Sequence, residues 1–222
     1  QGIMTPMIAL TIHQDLADLI RIETVEADGV RIEPSSALLL AAIGEHSAAL
    51  VREHAGHAPG EIEGLAPARQ LYRAFGVDPT RTRPSSEALV RRILQGKPFP
   101  RIVNAVDLCN LCSVAFLLPL GLYDAERING QVTLRRGEPG DGYEGIRKDR
   151  VNLEGRPALY DATGPFGNPS SDSSRTCVTN RTSALLMVIF APASYPPPRL
   201  QSHVAWAREA IARHLPGSSS ET

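Results

Sequence analysis

The sequence predicts an α+β fold in which helices pack around a mixed, partly sandwiched β-sheet. Short stretches bounded by turn signals read as strands, and stretches with apolar residues at helical spacing read as helices. The two kinds follow one another without the regular βαβ alternation that builds a doubly wound parallel sheet. A chain of 222 residues can bury roughly 70% of its unfolded surface around one continuous core. We therefore expect a single domain over residues 1–215: an N-terminal hairpin and helix over 6–60, a core over 65–195, and a C-terminal helix over 199–215. A disordered tail is expected over 216–222.

Taken in order, Asp28-Gly29 between IETVEA and VRIE is a hairpin signal. Pro34-Ser35-Ser36 opens a helix through Ala37, Leu40 and Ile43. His46, His54 and His57 lie on or just after it; with Gly56, Pro59 and Gly60 so close, they read as a solvated helix end rather than a metal site. Ser85 is placed to cap a helix whose apolar residues Leu89, Val90, Ile93 and Leu94 recur until Gly96. Arg91 and Arg92 occupy its solvated face. After the turn KPFP a second helix begins near Ile102. Its stripe of Val103, Val106, Leu111, Val114 and Leu118 leaves Asn104, Asp107 and Asn110 turned elsewhere until Pro119 stops it. Polar groups on so apolar a helix need partners. Asn129-Gly130 marks a turn, QVTLRR, VNL, PALYD and ALLMVIFA read as strands, and Gly137 to Gly145 reads as a loop. Pro192 and the triple proline Pro196 to Pro198 end the sheet and start a linker. An amphipathic helix follows, with Leu200, Val204, Ala207, Ile211 and Leu215 in its stripe and Trp206 beside it.

Composition excludes several classes. At 42% hydrophobic, 21% charged and a net charge of −1 the chain is not a globally basic nucleic-acid binder, so any attraction to RNA must be local and DNA is not expected. No apolar run reaches ~18 residues and no signal-peptide pattern is seen, so we expect a cytoplasmic protein that does not engage a membrane. Three cysteines argue against a disulfide framework and suit a reducing compartment. Cys109 and Cys112 form a C-x-x-C, but without a second pair they are expected to be packing residues, and we expect neither a metal nor a cofactor. Nothing resembles the phosphate-cradling G-x-x-x-x-G-K-[ST], which argues against an ATP-dependent ligase.

Two local constellations carry chemistry. From Arg69 to Arg101 eight basic side chains are opposed only by Asp78 and Glu87. Arg81, Arg83, Arg91, Arg92 and Lys97 are the candidate RNA-binding residues, since clustered cations neutralise phosphates and release counterions. Ordinary solvated faces explain the cluster equally well, and Arg81 and Arg83 have a third reading as partners of the buried carboxylates Asp107 or Asp124. The second constellation is the run DATGPFGNPSSDSSRTCVTNRT from Asp161 to Thr182. Its Asp172, Ser174, Arg175, Thr176, Thr179 and Thr182 either line a polar pocket or make local turns in a surface loop.

At several of these residues the chain resembles the editing (B3/B4) domain of the phenylalanyl-tRNA synthetase β subunit and its free-standing relatives. The family's V-D-x-x-N followed by P-L-H-x-[FY]-D is similar to Val106, Asp107, Asn110 and the run Pro119 to Asp124. Its G-x-D-P-x-x-x-R-P-S-x-E-A-L is similar to Gly76 to Leu89, and its R-T-x-x-T-x-x-T to Arg175 to Thr182. The resemblance runs from about Arg69 to Pro192. It implies the fold of that editing domain, tRNA as partner, and hydrolysis in trans of the ester of a mischarged aminoacyl-tRNA. The implied catalytic or orienting residues are Asn110, Asp161 and Arg175, with Gly121, Asp124, Asp172, Thr179 and Thr182 contacting substrate. Two residues depart from the pattern. Gly121 stands where the family has histidine, and Val188 aligns with a family glutamate. From the first we expect a larger cavity beneath Asp124 and beside Asp161. Both changes leave open a binding module that keeps tRNA or amino-acid recognition without hydrolysis. Oligomeric state is left open.

Overall fold

The computed structural model describes residues 8–147 and 149–218. Its centre is strand β9, Ala184–Pro192, in which all nine residues are buried. The run ALLMVIFAP shows no polar alternation because both faces of the strand are covered. β9 pairs antiparallel with β2 (Ile20–Asp28) on one side and β3 (Leu120–Asp124) on the other. Leu185, Met187, Ile189 and Ala191 face a core shared with helices α2 (Ala37–Glu53), α5 (Asn104–Phe116) and α6 (Pro197–His214). Leu186, Val188 and Phe190 face the opposite way. There they meet a second sheet, ordered β1-β4-β7-β8, formed by Leu10–Ile12, Val132–Arg136, Pro157–Asp161 and Gly164–Gly167. β1 and β4 are parallel and the other pairs antiparallel, so the sheet is mixed. The order of layers is thus helices, three-stranded sheet, four-stranded sheet, which is the predicted α+β architecture.

Strands β5 (Gly142–Glu144) and β6 (Arg150–Asn152) form a small ribbon whose Tyr143 and Val151 pack with Leu153, Ala158 and Tyr160. Three further helices, α1 (Gln14–Ala17), α3 (Ala66–Ala74) and α4 (Ser85–Leu94), complete the fold. Among the described residues no helix is long and apolar enough to cross a membrane.

Several local expectations are corrected. Asp28-Gly29 does not close a hairpin with VRIE, because β2 pairs along all nine of its residues with β9, a longer and better-buried partner. Gly29 takes φ 69°, and a Cβ there would lie 2.7 Å from the Gly217 carbonyl oxygen, so the chain turns away toward α2. Ser85 is not a cap: Pro84 holds that position, and the Ser85 hydroxyl is buried without a partner. Helix α5 starts at Asn104 rather than Ile102 and stops where Leu117 enters the left-handed region at φ 58°. PLGLYD contributes strand β3, the loop read from Gly137 to Gly145 contains β5, and the run from Asp161 contains β8. Pro197 and Pro198 lie in the first turn of α6, where no amide donor is required, instead of in a linker. The Pro216 carbonyl accepts from Arg31 N at 3.1 Å, which holds the start of the expected tail against the fold. Residues 219–222 of that tail, and residues 1–7 at the other end, lie outside the described residues.

The polar groups of α5 do find partners. Asn104 accepts from Glu33 N at 3.2 Å and donates to the Arg31 carbonyl at 2.8 Å. Asp107, 1% exposed, accepts from the Ser35 hydroxyl at 2.6 Å and from Ile102 N at 2.8 Å. Together they clamp the segment leading into α2 onto the start of α5. Asp107→Ala leaves the Ile102 amide and the Ser35 hydroxyl unpaired and should cost ~2–4 kcal/mol in denaturant unfolding, with an unchanged m-value.

Candidate functional site

In the order β2-β9-β3, strand β3 has one free edge. The segment from Asp172 to Thr176 covers it: Asp124 N donates to the Thr176 carbonyl at 2.8 Å, Ser173 N to Phe166 at 2.9 Å and Ser174 N to Glu144 at 2.8 Å. The polar run is therefore laid between β3, β8 and β5, and two knots of side chains pin it.

The first knot is Asp161 with Arg175. The guanidinium donates to both carboxylate oxygens at 2.9 Å, and the amides of Asn129, Thr163 and Gly164 donate at 2.9, 2.9 and 3.1 Å. Burial pushes this carboxyl's pKa up, but Arg175 and the amides outweigh it and hold the group below the usual carboxylate range. In the second knot Asp124 accepts from the Thr182 hydroxyl at 2.6 Å, and that hydroxyl accepts from Thr179 N at 3.0 Å. Arg127 joins the two. It donates to the Arg175 carbonyl at 3.1 Å, receives a bond from Arg175 at 3.2 Å, and its Nε lies 3.6 Å from Asp124. Asp124, Asp161, Arg175, Thr179 and Thr182 thus stand in one hydrogen-bonded frame. With both oxygens of Asp161 engaged, this geometry suits positioning of the loop rather than attack on a substrate.

The expected cavity at Gly121 is not there. Tyr123, two residues along on the same strand face, fills the space: a Cβ at Gly121 or at Gly167 would lie 2.2 Å from its hydroxyl oxygen. The ring is fully buried and meets Phe166 edge-on at 5.0 Å. Gly121 pairs directly with Val188 across β3 and β9, so the two positions expected to depart from the family pattern are neighbours beside an apolar core.

Asp172 lies at the rim of this core. Its carboxyl lies close to the Leu122 amide and to the Tyr123 hydroxyl, both of which favour its charged form, and Tyr123 Oη and Asp172 Oδ1 are shut off from solvent. Burial pushes the Asp172 carboxyl up to about 7. It also drives the Tyr123 hydroxyl well above its ordinary value, with the Asp172 charge adding to the effect. Asn110 is half-buried on α5 outside the frame and makes no side-chain hydrogen bond. Its neighbour Cys109 and Cys112 are buried thiols whose pKa values burial raises.

On the arginine patch, Arg91, Arg92 and Lys97 are exposed, and the Arg92 Nε donates to the Pro98 carbonyl. The Arg81 side chain is 90% exposed, 3.9 Å from Asp78. Arg83 pairs at 3.5 Å with Glu87, which Arg69 also grips through two bonds of 2.6 and 2.7 Å. Neither Arg81 nor Arg83 reaches Asp107 or Asp124, whose oxygens are taken by Ser35 and Thr182. A cleft of about 440 Å³ runs beside Arg81 and Thr82 and brings Arg156 to the same patch. Sequence reasoning missed Tyr123, Arg127 and Arg156. Tyr123 stood inside the PLGLYD motif, but its partners Gly167 and Asp172 lie more than forty residues away.

The sequence and the fold place the chain in a known family. The sequence matches the B3/4 domain over residues 67–195, more than half of the chain, and the protein belongs to the B3/4 domain family. Its structure is similar to an N-terminal fragment of the phenylalanyl-tRNA synthetase β subunit from Pyrococcus horikoshii, with a TM-score of 0.51 and 13% identity. That match covers 96% of this chain and 50% of the fragment, so the chain spans about half of that structure's length. At such low identity the likeness concerns the fold. No curated protein matches the sequence significantly.

Gly121→His, which installs the histidine that the resemblance implies at this position, should destabilise the protein by ~3 kcal/mol or more, because the fully buried Tyr123 ring must move. Thermal unfolding of Gly121→His, Tyr123→Ala and the double variant checks this. The double variant should be more stable than the summed penalties predict, since removing the ring frees the space.

Proposed function

We propose that the protein is a tRNA-editing-type domain that hydrolyses, in trans and in the cytoplasm, the ester of a mischarged aminoacyl-tRNA. The observation that carries this reading is Asp172, a carboxyl that burial raises to about 7 beside the covered edge of β3 in a B3/4 domain. A carboxyl titrating near neutrality is matched to general-base work, because it is ionised enough to accept a proton and basic enough to hold it. In this reaction water adds to the ester carbonyl carbon as Asp172 takes its proton. The bond to the ribose oxygen then breaks and that oxygen receives the proton, releasing amino acid and uncharged tRNA. The hydrogen-bonded frame of Asp124, Asp161, Arg175, Thr179 and Thr182 holds the loop that carries Asp172. Asn110, free of internal bonds, is the side chain available to orient the acyl group. Arg81, Arg91, Arg92 and Lys97, with Arg83 partly committed to Glu87, take the tRNA phosphates.

A second reading, a tRNA- or amino-acid-binding module without hydrolysis, is favoured by Gly121 and Val188. Neither position supplies a polar side chain, and Tyr123 occupies the room. Deacylation of a panel of mischarged tRNAs decides between them. On the editing reading, kcat/KM for at least one tRNA rises with pH through about 7 to a plateau and falls ~100-fold or more in Asp172→Asn. Binding without turnover supports the module.

Asp172 also predicts a stability effect that is independent of activity. Its folded pKa is raised, so its contribution to stability is complete below about pH 4 and is lost as pH climbs to about 7. Asp172→Asn should therefore be more stable than the parent at pH 8, by roughly 1–3 kcal/mol, with the difference shrinking toward pH 4. For the RNA surface, replacing Arg91 and Arg92 together by Gln should reduce the slope of log K against log salt by about 2, the loss of two phosphate contacts.

A further inference from the structure

On the helical side of β9, opposite the Tyr123 face, a cleft of about 200 Å³ lies between α2 and α6. Leu111 and Ala210 form its floor. Trp206 forms a wall, braced edge-on against Phe116 at 5.4 Å and met by the His46 ring at 5.7 Å. Glu45, Glu209 and Arg213 stand exposed around the rim. Glu209 and Arg213 are four residues apart on one helix, the spacing at which an ion pair ordinarily forms. Among the described residues, however, none of the three rim charges is in an ion pair. His214 also lines the cleft. It is 8% exposed, and its Nδ1 is buried with no hydrogen-bond partner. Burial, then the Arg213 charge, holds the imidazole below its ordinary pKa, so it is neutral at pH 7.

We propose that this cleft is a binding site for a free amino acid with an apolar side chain. Unpaired charges of both signs around one opening suit a small zwitterion. Its carboxylate pairs with Arg213, and its ammonium with Glu209 or Glu45. The Trp206, Leu111 and Ala210 surfaces take an apolar side chain. The volume is sufficient, since a cavity of ~150 Å³ accepts benzene. A metal ion does not fit the site, because no cluster of three or more His, Cys, Asp or Glu side chains among the described residues could hold one. The inference is independent of the editing reading, since it uses none of the residues around β3.

Trp206 is the single tryptophan of the chain, so intrinsic fluorescence reports directly on the cleft. The intact protein is titrated with each of the twenty amino acids, with calorimetry on the same samples to catch binding that leaves fluorescence unchanged. A saturable response is expected for one or more apolar amino acids such as leucine or phenylalanine. The matching amine without a carboxylate, and the N-acetylated amino acid, should each bind at least about tenfold more weakly. Arg213→Gln and the double variant Glu45→Gln/Glu209→Gln should each weaken binding by a similar factor while leaving the unfolding midpoint unchanged. Absence of binding by both methods overturns the proposal. So does an amine that binds as well as its parent amino acid, or affinity that Arg213→Gln leaves intact.

Discussion

The fold depends on burying both faces of β9. A nine-residue strand without a polar side chain can exist only where something apolar covers each side, and that requirement places helices on one face and a second sheet on the other. The pairing with β2 and β3 satisfies its backbone, and the remaining free edge of β3 must then be covered as well. It is covered by the polar run from Asp172 to Thr176. The position of the candidate site is therefore a consequence of sheet closure: the loop richest in hydroxyl and charged groups is the one drawn against the open strand edge.

Several carboxylates of the motifs are engaged by internal partners. Asp107 clamps the entry to α2, Glu87 is shared by Arg69 and Arg83, and Asp161 is saturated by Arg175 and three amides. A buried carboxylate with every lone pair engaged stabilises the loop geometry but has little freedom to exchange protons. Asp172 is the contrasting case. Its Oδ1 is shut off from solvent beside the Tyr123 hydroxyl, and burial raises the group to about 7. A carboxyl raised toward neutrality by burial costs stability at pH 7, and such groups are candidates for function.

The glycines at 121 and 167 show how one side chain can decide a pocket. Tyr123 lies between two positions that lack a Cβ, and any larger residue at either would displace it. A glycine on a strand face does not leave open space here, because the strand's period of two brings the next residue on that face into it.

The sequence by itself determined the α+β class, the α4, α5 and α6 segments to within a few residues, the buried character of β9, and the motifs that identify the B3/4 family. These are signals of period and local chemistry, read within a single stretch of chain. Only the tertiary structure decided the pairing of β2 with β9 in place of a hairpin, the role of Asp161 as an anchor, and the filling of the Gly121 space by Tyr123. It also brought Arg156 to the side of Arg81. Each of those outcomes rests on contacts between segments far apart in the chain or on which of two partners covers more apolar surface. Local pattern carries no information about either, because the energy that selects between alternatives is released only when distant faces meet.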